Sequence, residues 1–261
     1  MPAPDRRGLV RLHAEIVACR ACPRLVAHRE AIAREKRRAF RDWTYWGKPV
    51  PGFGDPDARI VIVGLAPAAH GANRTGRIFT GDRSGDFLFA ALHRLGLANE
   101  PTSVSRDDGL ALRDVFVLSP VRCAPPDNAP TPAEIARCAP FMERELGLLP
   151  AARVLVALGA IAWRAILDHL ARVGTDVPRP RPAFGHGARI ELGGRWILGS
   201  YHVSQQNTQT GRLTPAMFDA VIGEARTLAA RGATRATPEP TPVPTPRGAN
   251  ARRRTPPPRS R

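Results

Sequence analysis

Lysine is almost missing from this chain: only Lys36 and Lys48 of its 39 basic residues are lysines, so side-chain amine chemistry has just two candidates. Acidic residues are also few, 23 in all, and the formal net charge is +16. Such a balance points to a polyanionic partner, a nucleic acid or an anionic membrane surface, without naming one. Part of the excess belongs to one end, because residues 231–261 hold eight arginines and one acid, Glu239, a net of +7 that leaves +9 for the rest. Long apolar runs are absent. Segments such as Arg59-Ile60-Val61-Ile62-Val63-Gly64-Leu65 fall far short of the ~20 residues of a bilayer span, and no signal-peptide core opens the chain, so a cytoplasmic location is expected. With four cysteines in 261 residues there is no disulfide framework, yet 43% apolar residues suffice for one packed domain.

What is present reads as alternating strand and helix. Four short β-branched runs, Ile60 to Leu65, Val115 to Ser119, Val154 to Leu158 and Trp196 to Ser200, are separated by helical patterns over Gly85–Leu97, Pro132–Leu146 and Ala160–Arg172 and followed by one over Pro215–Ala230. That order predicts an α/β protein: three layers, α/β/α, around a mainly parallel four-stranded sheet covered on both faces. Two amphipathic helices are expected before it, one around Leu9, Leu12, Ile16 and Val17, the other from Leu25 to Arg38. A loop from Trp43 to Gly54, rich in Pro, Gly and aromatics, joins them to the first strand. Ligands of such sheets lie beyond the carboxyl ends of the strands, so chemistry is expected in the loops after Leu65, Ser119, Leu158 and Ser200. Residues 1–230 are read as one catalytic domain and 231–261, proline- and arginine-rich, as a disordered tail.

All four cysteines fall into a pattern. Cys19 and Cys22 form a C-x2-C pair before Pro23, and Cys138 follows Cys123 by fifteen residues. A C-x2-C turn presents two thiolates to one side of a metal centre. The wider second pair does not make a zinc-ribbon knuckle and favours a [4Fe-4S] cluster, whose size accepts ligands from a loop and a helix; zinc is the alternative metal.

The loop after the first strand run is the most informative. From Gly64 to Gly85 it has five glycines in 22 residues, which lets backbone N–H groups approach a ligand. Gly71 and Gly76 have P-loop separation, but Arg77 and Ile78 stand where Lys and Ser/Thr would hold phosphate and magnesium, and no G-x-G-x-x-G occurs there. The sequence therefore argues against a nucleotide-hydrolysing site.

Four segments together resemble the uracil-DNA glycosylase superfamily, and within it the family 5 (type b) enzymes. Gly64-Leu65-Ala66-Pro67-Ala68 looks like the first motif and Gly76-Arg77-Ile78-Phe79-Thr80-Gly81-Asp82 like its extension. Arg122-Cys123-Ala124-Pro125-Pro126-Asp127-Asn128 is similar to the stretch from a cluster cysteine to the pocket, and His202-Val203-Ser204-Gln205-Gln206-Asn207 to the second catalytic motif. The resemblance covers Cys19 to about Arg226. It implies the uracil-DNA glycosylase fold, a [4Fe-4S] cluster on Cys19, Cys22, Cys123 and Cys138, and excision of uracil from DNA.

Base excision needs a flipped base stacked on an aromatic face and hydrogen-bonded at its edge. Phe79 is the candidate face and Asn128 the candidate edge reader; Ala66, Pro67, Ala68, Ser204 and Asn207 are expected to line the substrate. His202 is expected to donate toward the uracil O2 side as charge develops there. The first motif carries Ala66, Ala68 and Ala69 around Pro67 where other branches have a polar residue, so the resemblance implies that Asp82 stabilises the oxocarbenium-like sugar or orients water. Capping of the helix near Ser84 is the alternative role for Asp82, and His70 is the second candidate for the water. The alanines also predict a roomy pocket accepting other deaminated bases, hypoxanthine included. Neither lysine lies in a motif, so hydrolysis without strand cleavage is expected. Arg212 or Leu213 is expected to fill the gap left by the base, with Ser204 on phosphate. A monomer acting on DNA, with no membrane partner, is the overall expectation; a non-catalytic, metal-stabilised nucleic-acid-binding protein is the alternative.

Overall fold

The computed structural model describes residues 3–231; the proline- and arginine-rich end, apart from Arg231, lies outside the described residues. Six strands form one sheet, β1 (Phe53–Gly54), β2 (Ile60–Val63), β3 (Val115–Leu118), β4 (Val154–Leu158), β5 (Arg189–Leu192) and β6 (Arg195–Ser200), in the order β1-β3-β2-β4-β6-β5. The four expected runs are the central strands β3, β2, β4 and β6, mutually parallel, with Ile60 opposite both Val115 and Val154 and Leu158 opposite Ser200. The sheet is larger than expected by two antiparallel edges. β1 is a two-residue pairing beside β3, and β5 returns on β6 through the two-residue Gly193-Gly194 turn, a sequence signal for a tight hairpin.

Central strands buried on both faces must be apolar at every position, which is why they read Ile-Val-Ile-Val, Val-Phe-Val-Leu and Val-Leu-Val-Ala-Leu. Alternate residues face opposite ways. Ile60, Ile62, Val115, Val117, Val154 and Val156 pack against α4 (Arg83–Arg94) and α8 (Pro215–Arg231), whose Leu88, Phe89, Phe218 and Ile222 are buried there. Val61, Val63, Phe116, Leu118, Leu155 and Ala157 pack against α1 (Arg6–Ala18), α5 (Pro132–Gly147) and α6 (Ala160–Arg172). The result is the expected three-layer α/β/α arrangement.

A third, small cluster of Leu25, Val121 and Cys123, with Cys22, Ala66 and Ile135 against it, joins α2 (Pro23–Glu35) to the loop after β3 and to α5. Arg24 on α2 pairs with Glu134 on α5 at 2.9 Å, and Glu134 also closes the capping box with Thr131 that starts α5. Deeper in, Arg122 and Glu145, both fully buried, pair at 2.5 Å, with His13 of α1 at 2.9 Å on the same carboxylate. Removing one partner of such a pair strands the other and costs about 3–5 kcal/mol, so the segment carrying Cys123 is firmly held to α5.

Candidate active site

Parallel strands put the carboxyl ends of β2, β3, β4 and β6 on one edge. The loop leaving β2 and the loop leaving β6 meet there across β4. Phe79 from the first and His202 from the second lie with ring centroids 6.1 Å apart and planes 33° apart. Phe79 holds its backbone at φ 52°, in the left-handed region, unusual for a bulky residue and a strain that clusters at functional sites. Its ring lies so near Gly64 that a Cβ there would be 2.8 Å from Cζ, so glycine at the end of β2 is the condition for the ring's place.

The loop is built to be rigid. Every residue from 71 to 80 is buried, and a short helix, α3 (Ala72–Thr75), occupies its middle. Asp82 is the N-cap of α4, its Oδ1 accepting from the Gly85 N–H at 3.0 Å, so the capping role foreseen as an alternative is realised. The other oxygen faces Gly71, where a Cβ would stand 1.9 Å from Oδ2. Burial pushes the Asp82 carboxyl above its ordinary range, opposed by the Gly85 and Ser84 N–H groups and by Arg74. Burial likewise pushes His202 down, to about 4, so its imidazole is neutral at pH 7 and retains one N–H donor.

The remaining expected residues are placed unevenly. Asn207, on α7 (Gln205–Gln209), donates its side-chain N–H to the His202 carbonyl at 2.8 Å, which holds the histidine's backbone. Ser204 precedes α7, and its carbonyl accepts from the Asn207 and Thr208 N–H groups. Pro67 is buried, whereas Ala66 and Ala68 are half-buried. Asn128 is exposed on a 3-10 turn, with φ 54° like its neighbour Asp127. Leu213 corrects an expectation: at 1% exposure it packs in the larger core and is not free to enter a duplex. Arg212 is exposed, its guanidinium 4.6 Å from the Tyr201 ring centre, and Tyr201 stacks in turn on His186 at 5.1 Å. His70, the second candidate for water, is bonded to the Tyr45 hydroxyl through Nδ1 at 3.0 Å.

Sequence reasoning left the aromatic loop before β1 without a role. Its rings, with Phe40 just before it, clasp the loop after β2: Phe40 and Trp43 lie on Arg74, Tyr45 on His70, and Trp46 against Gly76. The density of aromatics in an irregular segment was the available signal.

The four cysteines line one cavity of about 170 Å³ together with Leu25, Val26, Arg29 and Arg122. Arg29, only 2% exposed, donates to the Cys123 sulfur at 2.9 Å and to the Cys19 carbonyl. Burial raises the Cys123 thiol, opposed by Arg29, and pushes Cys138 up to about 12. Among the described residues, no group of three or more His, Cys, Asp or Glu side chains is placed to hold a metal ion. No helix among them is long and apolar enough to cross a membrane.

Fold and site define a three-layer α/β/α protein that brings an aromatic ring and a neutral histidine together at the carboxyl edge of the sheet, with a helix-capping aspartate on the aromatic's loop. The chain belongs to the uracil DNA glycosylase superfamily, whose family model matches residues 51–226. It is 56% identical over 224 residues to a type-5 uracil-DNA glycosylase of Mycobacterium bovis, covering 85% of this chain and 82% of that one. To the type-5 uracil-DNA glycosylase of Thermus thermophilus it is 55% identical over 226 residues, 86% of this chain and 99% of the relative. The type-5 enzyme of Pyrobaculum aerophilum is 47% identical over 210 residues, 80% of this chain and 88% of the relative. The resemblance read from the four motifs therefore holds.

Proposed function

We propose that residues 1–230 form a DNA-repair glycosylase that hydrolyses the N-glycosidic bond of uracil in DNA and leaves the strand intact. The observation that carries this reading is the Phe79–His202 pair, 6.1 Å apart at the sheet's carboxyl edge, with Asp82 fixed on the same loop as Phe79. A base turned out of the duplex stacks on Phe79, and the neutral His202 donates to the uracil O2 side as the leaving group gains charge. Asp82, with one oxygen on the α4 cap, keeps the other for the sugar or the attacking water, and its raised affinity for protons suits it to accept one from water. Asn128 reads the base edge. The alanine-lined first motif leaves room for hypoxanthine.

Both lysines have other partners, Lys36 the Arg41 carbonyl at 3.0 Å and Lys48 the Trp46 ring at 5.6 Å. That supports hydrolysis by water over attack by an amine. Arg212, exposed beside Tyr201, is the side chain for the gap left by the base, with Ser204 near the phosphates.

Cys19, Cys22, Cys123 and Cys138 fit a [4Fe-4S] cluster. The donor set is four soft sulfurs around one cavity, whereas a single zinc ion needs all four sulfurs within ~2.3 Å of one point. When bound, the cluster supplies a structural tie between α2, the loop after β3 and α5.

The deciding experiment incubates cluster-intact protein with duplexes containing uracil or hypoxanthine and measures free base and strand integrity. Released uracil with an uncut abasic strand is expected. No base released from either duplex overturns the enzymatic reading and leaves a metal-stabilised nucleic-acid-binding protein in its place.

A further inference from the structure

Arg74 is the most confined cation of the catalytic loop. It is 3% exposed, yet among the described residues no carboxylate pairs with its guanidinium; it lies instead between two aromatic rings, 3.9 Å from the Phe40 centre and 4.1 Å from that of Trp43. Two of its nitrogens close the loop. Nε donates to the His70 carbonyl and Nη2 to the Gly81 carbonyl, each at 2.7 Å. These carbonyls stand at opposite ends of the segment from His70 to Asp82, and the second belongs to the residue before Asp82. Nη1 is buried with no hydrogen-bond partner, so one donor is unspent. A Cβ at Gly81 would come 2.4 Å from Nη2, so the backbone beside Asp82 is shaped to this side chain.

The burial of a guanidinium with an unspent donor is costly, and a fold keeps it when the charge or the fork is needed. We propose that Arg74 is the positioning residue for Asp82, fixing both ends of the segment that presents the carboxylate and placing a positive charge beside it. This inference rests on the assignment of Asp82 made above. The charged groups acting on Asp82 are Asp86 on its own helix, which disfavours the ionised form, and Arg74 on α3, which favours it. His70, on the same loop, faces Tyr45. With Arg74 in place the carboxylate stays ionised to lower pH than burial alone would allow.

The test compares Arg74→Met, Arg74→Lys and Asp82→Asn in single-turnover excision of uracil across pH, with thermal melting as a folding check. Arg74→Met keeps a stem between the rings and removes charge and fork together. Its rate is expected to fall about 10- to 100-fold, as misplacement of a reacting group by ~1 Å produces, and its acid limb to move up in pH. Arg74→Lys restores the charge without the fork, so the acid limb returns toward wild type while the rate stays low. A lowered rate with an unmoved acid limb in Arg74→Met, or a rate within threefold of wild type, overturns the inference. If Arg74→Met does not fold, Arg74→Lys decides: full wild-type rate there overturns the inference, and a slow rate with the wild-type acid limb supports it. Asp82→Asn separates the two readings, since wild-type activity in that variant overturns the role of Asp82 itself, and loss of activity there with an unchanged Arg74→Met profile overturns only the role of Arg74.

Discussion

Replacing Gly71 by alanine tests the placement of Asp82 by adding a single methyl group. The new Cβ would stand 1.9 Å from Asp82 Oδ2 and 2.8 Å from Cγ, where ordinary contact begins near 3.4 Å. The carboxylate must then retreat by about 1.5 Å or rotate off its cap, and a displacement of ~1 Å in a reacting group costs about 100-fold in rate. Loss of the α4 cap accounts for about 1 kcal/mol of stability, far too little to unfold a domain, so melting temperature and activity should part company. Gly147→Ala is the control, because a Cβ there meets nothing within 4 Å. The assay is single-turnover release of uracil from duplex DNA, repeated in an Asp82→Ala background. The methyl group should slow wild type about 100-fold and much less once the Asp82 carboxylate is gone, when only the retained Cβ, 3.1 Å from the new methyl, still crowds it. Equal slowing in both backgrounds, or a Gly71→Ala rate within threefold of wild type, would refute the reasoning.

His202 contributes stability above pH 6.5 that is lost as pH falls toward about 4, because the unfolded chain takes up the proton first; over that window the loss is about 3 kcal/mol. Urea unfolding should therefore show a shallower acid loss in His202→Asn than in wild type, and parallel curves would contradict a depressed histidine. Truncation of exposed Arg212 to alanine should impair excision from paired uracil several-fold more than from single-stranded uracil, where no stack needs opening, as gel assays on the two substrates would reveal. Anaerobically prepared protein should hold about four irons per chain, and Cys138→Ala should lose most of them by metal analysis; one zinc per chain and no iron would refute the cluster.

The fold was legible because the central strands are buried on both faces, so each announces itself as an unbroken apolar run between helical patterns. The edges were not. β1 has two residues, and β5, with alternating Arg189-Ile190-Glu191-Leu192, is marked mainly by the two glycines that follow it. At the candidate site, motif context singled out Phe79 and His202, which the fold brings together, and Asp82, which caps α4 on the same loop as Phe79. Arg74 and the rings around it were not, since a cation held between Phe40 and Trp43 depends on residues some thirty positions away folding back. Leu213 was misread because its neighbours Gly211 and Arg212 are exposed and it alone turns into the core.

Loops at catalytic edges usually bend to their ligands, but residues 71 to 80 are all buried, wedged between sheet, aromatic rings and helix. A site that cannot yield leaves the deformation to the nucleic acid. Selection among targets is then expected to follow how cheaply a nucleotide leaves its stack, with a uracil facing guanine, already poorly paired, excised faster than one facing adenine.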